Sequence, residues 1–223
     1  MANAVQKVNG IDIGDIQAIN GITDDNLQAL NTLEFTGTIP DAHTFIGDNS
    51  SDTTNLTDIT FSSGIGSTYD VYIFDFINLN AATDNVSFTF QVNAVGDSGY
   101  NNSNITSVFS AAFHDEDDSG AGVGADANRD NDGTTDETLL EHYIGTEADE
   151  GISGRMWLYA PSSDDHVKNF IAELSTNARH DANYVSQVAG YIDDDDTAID
   201  DIRFKMSSGN FDGLIRMYGI AKS

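Results

Sequence analysis

Apolar and polar residues alternate along most of this chain, closely enough to mark strands one at a time. Residues 86–92 set Val86, Phe88, Phe90 and Val92 against Ser87, Thr89 and Gln91. That is the pattern of a strand with one face on a core and the other in water. Residues 69–79 carry large apolar side chains on both alternations, as a strand covered on both faces does. Asp75 interrupts the series Val71, Ile73, Ile77, and a buried aspartate at such a point is expected to bind a nearby turn backbone rather than to do chemistry. Residues 34–39, 56–61, 105–113, 139–144, 154–160, 167–174 and 184–192 also read as strands. At the end of the chain Ile202, Phe204 and Met206 alternate with Arg203 and Lys205, and a second alternating run covers 214–220 after the turn at 207–210. This predicts a terminal β-hairpin that lays one face onto an existing sheet. About ten strands at this spacing predict an all-β fold, a jelly-roll-like β-sandwich over 34–223. The stretch 115–136, rich in Gly, Ala, Asp and Asn, reads as one long irregular loop.

The first thirty-odd residues keep another period. Val8-Asn9-Gly10-Ile11, Ile19-Asn20-Gly21-Ile22 and Leu30-Asn31-Thr32-Leu33 lie eleven residues apart, with Ile16 and Leu27 in phase. Asn-Gly is a turn signal, and the residues after Thr23 can cap and start a helical turn. Units this small cannot bury their own apolar residues. Val8, Ile11, Ile13, Ile16, Ile19, Ile22, Leu27, Leu30 and Leu33 are therefore expected to form a docking or oligomerisation arm, 1–33, covered by other chains in preference to its own domain.

Charge narrows the function classes. Against 37 acidic residues stand 9 Lys and Arg, a net charge of -28, and no cation lies between Lys7 and Arg129. Nucleic acid as a partner is excluded by sign, and adsorption to an anionic membrane is disfavoured. Self-repulsion of this size falls as salt rises, which suits a saline habitat and equally suits simple solubility. With no cysteine, disulfide and thiolate chemistry are absent. No run of eighteen apolar residues predicts membrane insertion, and the opening MANAVQKVNG has no charged-then-hydrophobic signal pattern. The expectation is a soluble protein made in the cytoplasm that leaves by assembly and lysis if it acts outside.

Two stretches carry a resemblance. The ending with Ile199, Ile202, Arg203, Phe204, Ser208, Gly209, Asn210, Phe211, Gly213, Ile215, Tyr218, Gly219 and Ile220 is similar to the close of β-sandwich domains in tailed-bacteriophage virion proteins. The opening, Lys7-Val8-Asn9-Gly10-Ile11 with Ala18-Ile19-Asn20-Gly21-Ile22, resembles the repeat leaders of such proteins. The resemblance implies a structural, non-enzymatic virion component exposed at the particle surface. Its implied form is a fibre or appendage that attaches to the host, with a capsid decoration protein as the alternative. It also implies docking to other virion proteins through the arm, and homo-oligomerisation, a trimer in preference.

The sharpest local motif is residues 128–136. Asn128, Asp130 and Asp132 stand at the first, third and fifth places, Gly133 at the sixth and Asp136 at the ninth, the order of a calcium loop. The twelfth place, where a bidentate acid belongs, is Leu139. A chance spacing within an acidic, Gly-rich loop is the alternative, and calcium is the one cofactor in view. With calcium, the same loop makes a lectin-like glycan-binding module the rival function. The histidines 43, 114, 142, 166 and 180 show no paired metal-ligand spacing. So many carboxylates leave no catalytic pair distinguishable, and no nucleophile elbow or phosphate loop is present.

Overall fold

The computed structural model describes residues 43–194 and 196–221, together with four short strands nearer the N-terminus. The chain divides into two compact units, Met1–Asp41 and Ala42–Ser223.

In the first unit, β1 (Lys7–Val8) pairs antiparallel with β2 (Ile11–Asp12), and β3 (Ala18–Ile19) with β4 (Ile22–Thr23). Val8 stands opposite Ile11 and Ile19 opposite Ile22, so the eleven-residue repeat recurs as a repeated strand pair, each flanking an Asn-Gly. Ile13, Ile16, Leu27, Leu30 and Leu33 lie outside the described residues, as do the helical turn expected after Thr23 and the strand expected at 34–39.

The second unit is an all-β sandwich of two antiparallel sheets. Its strands are β5 (Thr44–Asp48), β6 (Ile59–Phe61), β7 (Tyr69–Ala81), β8 (Val86–Ala94), β9 (Ile105–Asp115), β10 (Ala121–Ala125), β11 (Asp132–Thr134), β12 (Thr138–Ile144), β13 (Gly151–Tyr159), β14 (Lys168–Ala178), β15 (Ala182–Ile192), β16 (Ile199–Met206) and β17 (Phe211–Ala221). The larger sheet has nine strands, ordered β10-β9-β15-β14-β13-β7-β17-β5 with β11 also beside β9; the smaller is β12-β8-β16-β6. Apolar residues of the inner faces, Phe74 and Phe76 from one sheet and Phe88, Phe90 and Phe204 from the other, are all buried and meet as a cluster of rings.

The structure corrects five expectations. β16 and β17 do not form a hairpin: β16 lies between β8 and β6 in the small sheet, β17 between β7 and β5 in the large one. Residues 207–210 cross the edge of the sandwich, and a period of two reads the same whether consecutive strands pair or face each other across a core. The polar face of β8 is not wet. Thr89, Gln91 and Asn93 are 4%, 6% and 8% exposed, because the segment before β12 and the basic side chains of β16 lie over them. The Gln91 amide donates to Thr135 O at 3.1 Å and accepts from Arg203 at 2.6 Å, while Thr89 donates to Glu137, itself 2.6 Å from Lys205.

Asp75 binds no turn backbone; it accepts from Arg155 Nε at 2.5 Å and Nη2 at 3.1 Å, its register partner on β13. The stretch 115–136 is not one irregular loop but two edge strands, β10 and β11, joined through a 3-10 turn at Ala127–Arg129. Gly122 makes this possible, since a Cβ there would stand 2.8 Å from the Phe113 ring. Finally, β5 is a strand where alternation predicts none, its five residues running directly into the turn at 49–52.

One electrostatic consequence belongs to β16. Burial, and next the charge of Asp200, push the Asp201 carboxyl above its ordinary value. A raised folded-state pKa means that the folded chain holds the proton more tightly than the unfolded one. Its contribution is thus full below the unfolded value, near pH 3.9, and is lost as pH rises through the folded one. Asp201→Asn is expected to raise stability at pH 7 by about 0.5 kcal/mol, the scale of surface changes, and to change nothing near pH 3. Thermal unfolding at the two pH values checks this, and an equal effect at both would contradict it.

Candidate functional site

The chain's chemistry gathers at one end of the sandwich, where β12, β15 and the end of β9 meet. β12 is irregular: Leu139 pairs with Thr89, Glu141 with Phe88 and Ile144 with Val86, so its register slips twice. Tyr143, inside the second slip, has φ +56°, a conformation that bulky residues rarely hold without compensation. The irregularity buries Leu140, Glu141 and His142 in succession, which strict alternation would not allow.

Glu141 crosses the interior to the other sheet. Its Oε2 accepts from Thr176 Oγ1 on β14 at 2.8 Å, and its Oε1 accepts from the His142 N–H at 2.9 Å. The His142 Nδ1 lies 3.4 Å from Oε1 but makes no hydrogen bond. The His142 ring packs against Phe109, Tyr143 and Tyr184 at centroid distances of 5.1, 4.2 and 5.5 Å. Tyr143 in turn meets His180 at 5.5 Å, and the Arg129 guanidinium sits 5.0 Å over its ring. Tyr184 stacks on Phe113 at 5.4 Å.

Tyr184 and His180 open into a cleft of about 720 Å³, whose other walls are Asp115, Glu116, Asp117, Ser119 and Asp181. The turn between β14 and β15 is tied to the end of β9 by the Glu116 N–H, which donates to Asp181 O at 2.8 Å. Ser119 organises the acidic wall: its hydroxyl donates to Asp115 at 3.0 Å and its N–H to Asp117 at 2.9 Å. Hydrogen bonds from the Ser119 side chain and backbone hold the Asp117 carboxyl below the usual range. Burial, and then the neighbouring Tyr143, Asp115 and Glu141, push the Tyr184 phenol up, so it stays a neutral donor. A neutral phenol, an imidazole and several carboxyl groups suit hydroxyl-rich or cationic ligands. Among the described residues no histidine ring is hydrogen-bonded to a serine or threonine hydroxyl.

No protein-family model, no curated protein and no solved structure matches the chain. The site therefore rests on its own geometry.

Two residues of the calcium-like spacing, Asn128 and Asp130, are engaged in local hydrogen bonds. Asp126, one turn earlier, caps the 3-10 turn by accepting from the Asn128 N–H and side-chain amide, both at 3.1 Å. The Asn128 N–H is the first cause holding the Asp126 carboxyl below its ordinary value. Asp130 Oδ1 accepts from the Phe109 N–H at 2.7 Å, pinning the segment to β9. Asp132 and Asp136 are exposed. Among the described residues, no three or more His, Asp or Glu side chains are placed to hold a metal ion. Conversely, His142, Tyr143, His180 and Tyr184, scattered in the sequence, come together. The signal for them was the polar triplet Glu141-His142-Tyr143 inside an otherwise apolar strand.

Proposed function

We propose that this protein is a structural component of a tailed-phage virion, of fibre or appendage type, with the repeat arm docked in the particle and the sandwich exposed. The observation that carries the reading is the two-part organisation. A short unit repeats the same strand pair every eleven residues around Asn9-Gly10 and Asn20-Gly21, followed by an all-β sandwich, and this arrangement fits a virion protein with a repeat leader. The charge of -28 supports an outward, solvent-facing position. Self-association through the arm, as a trimer, completes the proposal.

Antibody labelling of purified particles tests the location: label on tail appendages supports a fibre part, label over the head supports a decoration protein, and unlabelled particles contradict both. Light scattering of the full chain tests the association, and a strict monomer whose arm resists protease would overturn it. A second reading, compatible with the first, has the cleft at Tyr184 and His180 bind a host-surface glycan, favoured by its aromatic and carboxylate walls. Glycan-array binding abolished by His180→Ala supports it, a further loss on chelation brings in calcium, and binding unchanged by the variant rejects the cleft as the site.

A further inference from the structure

The outer face of the nine-stranded sheet carries two parallel rows of side chains at right angles to the strands. Strand register sets the first: Val108 on β9, then across β15 to Ile171, Trp157, Ile73, Tyr218 and Phe45 on the far edge. Val108, Ile171 and Phe45 are 50%, 40% and 54% exposed, Trp157 and Tyr218 are half-buried, and Ile73 between them is buried, so the row is apolar throughout and open to water towards its two ends. The second row, two residues along each strand and three along the bulged β5, reads Glu173, Arg155, Asp75, Arg216, Asp48. Its signs alternate without a break. Neighbours within it pair, Arg155 with Asp75 at 2.5 Å and Arg216 with Asp48 at 3.7 Å, and the Arg155 guanidinium lies 5.7 Å over the Trp157 ring.

We propose that this face is a two-fold contact between copies of this chain. Three observations select a second copy as its occupant. First, an alternating row is self-complementary about a two-fold axis that runs along the strands and passes between two of them. With the axis between β13 and β7, each arginine of one copy faces an aspartate or glutamate of the other, and the two Trp157 side chains flank the axis.

Second, the chain as a whole has 37 acidic residues to 9 basic ones, whereas this row has three to two. Copies repel each other elsewhere, and here the repulsion nearly vanishes. Third, six strand spacings of about 4.8 Å make the rows about 29 Å long. With Tyr191, Val71 and Ile220 in a third row on the other side of the apolar one, the patch covers roughly 600 Å² per copy. That is the lower end for a specific interface and implies a concentration-dependent dimer. Trp, Tyr and Arg at its centre are the residues that anchor such contacts. Whatever unit the arm sets, this contact doubles it.

Trp157 is the only tryptophan, so its emission reports this face and not the arm. In the full chain at about 0.5 M NaCl, where long-range repulsion is screened, increasing protein concentration is expected to shift the emission to the blue while sedimentation shows the mass doubling. Ile171→Glu, at an exposed position, is expected to raise the dissociation constant at least about tenfold and to abolish the shift, with circular dichroism unchanged. Val108→Glu, at the other end of the row, repeats the test independently. Emission independent of concentration, or an assembly that both variants leave intact, overturns the proposal; the second result would assign assembly to the arm.

Discussion

Phe204→Ala is expected to destabilise the sandwich by about 3–5 kcal/mol, the range for removing a large buried ring. Phe204 is fully buried on β16. It meets Phe74 and Phe76 of the nine-stranded sheet, both at 5.2 Å, and Phe88, Phe90 and Phe61 of its own sheet at 6.0, 6.4 and 6.5 Å. Among the described residues no other side chain joins as many rings from both sheets, so a void there removes contacts on either side at once, with little room for collapse. Domains of this size are stable by about 5–15 kcal/mol, and the loss is therefore about a fifth of the total or more. Urea unfolding measures it through the midpoint at constant slope.

How far the sequence disclosed this fold follows from what alternation encodes. β14 is the clearest case: Phe170, Ala172 and Leu174 are buried, and Asn169, Ile171 and Glu173 between them are exposed. Even so, Lys168 is fully buried in phase with the core, donating to Thr197 O at 2.6 Å, a role its chemistry alone does not suggest. Alternation gives the facing of a strand but not its neighbour, which is why the last two strands were readable and their arrangement was not. Nor does it say what covers a polar face. Thr89 and Gln91 look like surface residues until Glu137 and Arg203, distant in sequence, close over them. β10 does not stand out because four of its five residues, Ala121, Gly122, Gly124 and Ala125, are small residues without strand preference; what selects Gly122 is the Phe113 ring on the neighbouring strand. The site was hidden for a related reason. Its four aromatic and imidazole rings come from two strands and a turn, and only the slips in β12 turn His142 and Tyr143 towards Tyr184.

Those slips make Glu141 the second critical position. Glu141→Ala is expected to cost about 3–5 kcal/mol, comparable to removing one partner of a buried polar pair. It strands the Thr176 hydroxyl, 1% exposed, and the His142 N–H in a dry interior, and it opens a void between the sheets. Glu141→Gln separates these causes. The amide fills the same volume but presents one acceptor oxygen and one donor nitrogen, so one of the two donors loses its partner and the expected cost falls to about 1–3 kcal/mol. The smaller variant also discriminates between scaffold and site. His142 is held in register by its N–H bond to Glu141, and its ring supports Tyr184, a wall of the cleft. Binding at the cleft should therefore weaken in Glu141→Gln at temperatures where the sandwich remains folded, with tyrosine fluorescence reporting the altered packing. A variant that loses stability while the tyrosine environment is unchanged would mean that Glu141 only ties the two sheets together. The strained Tyr143 backbone would then be a by-product of that tie rather than a support for the cleft.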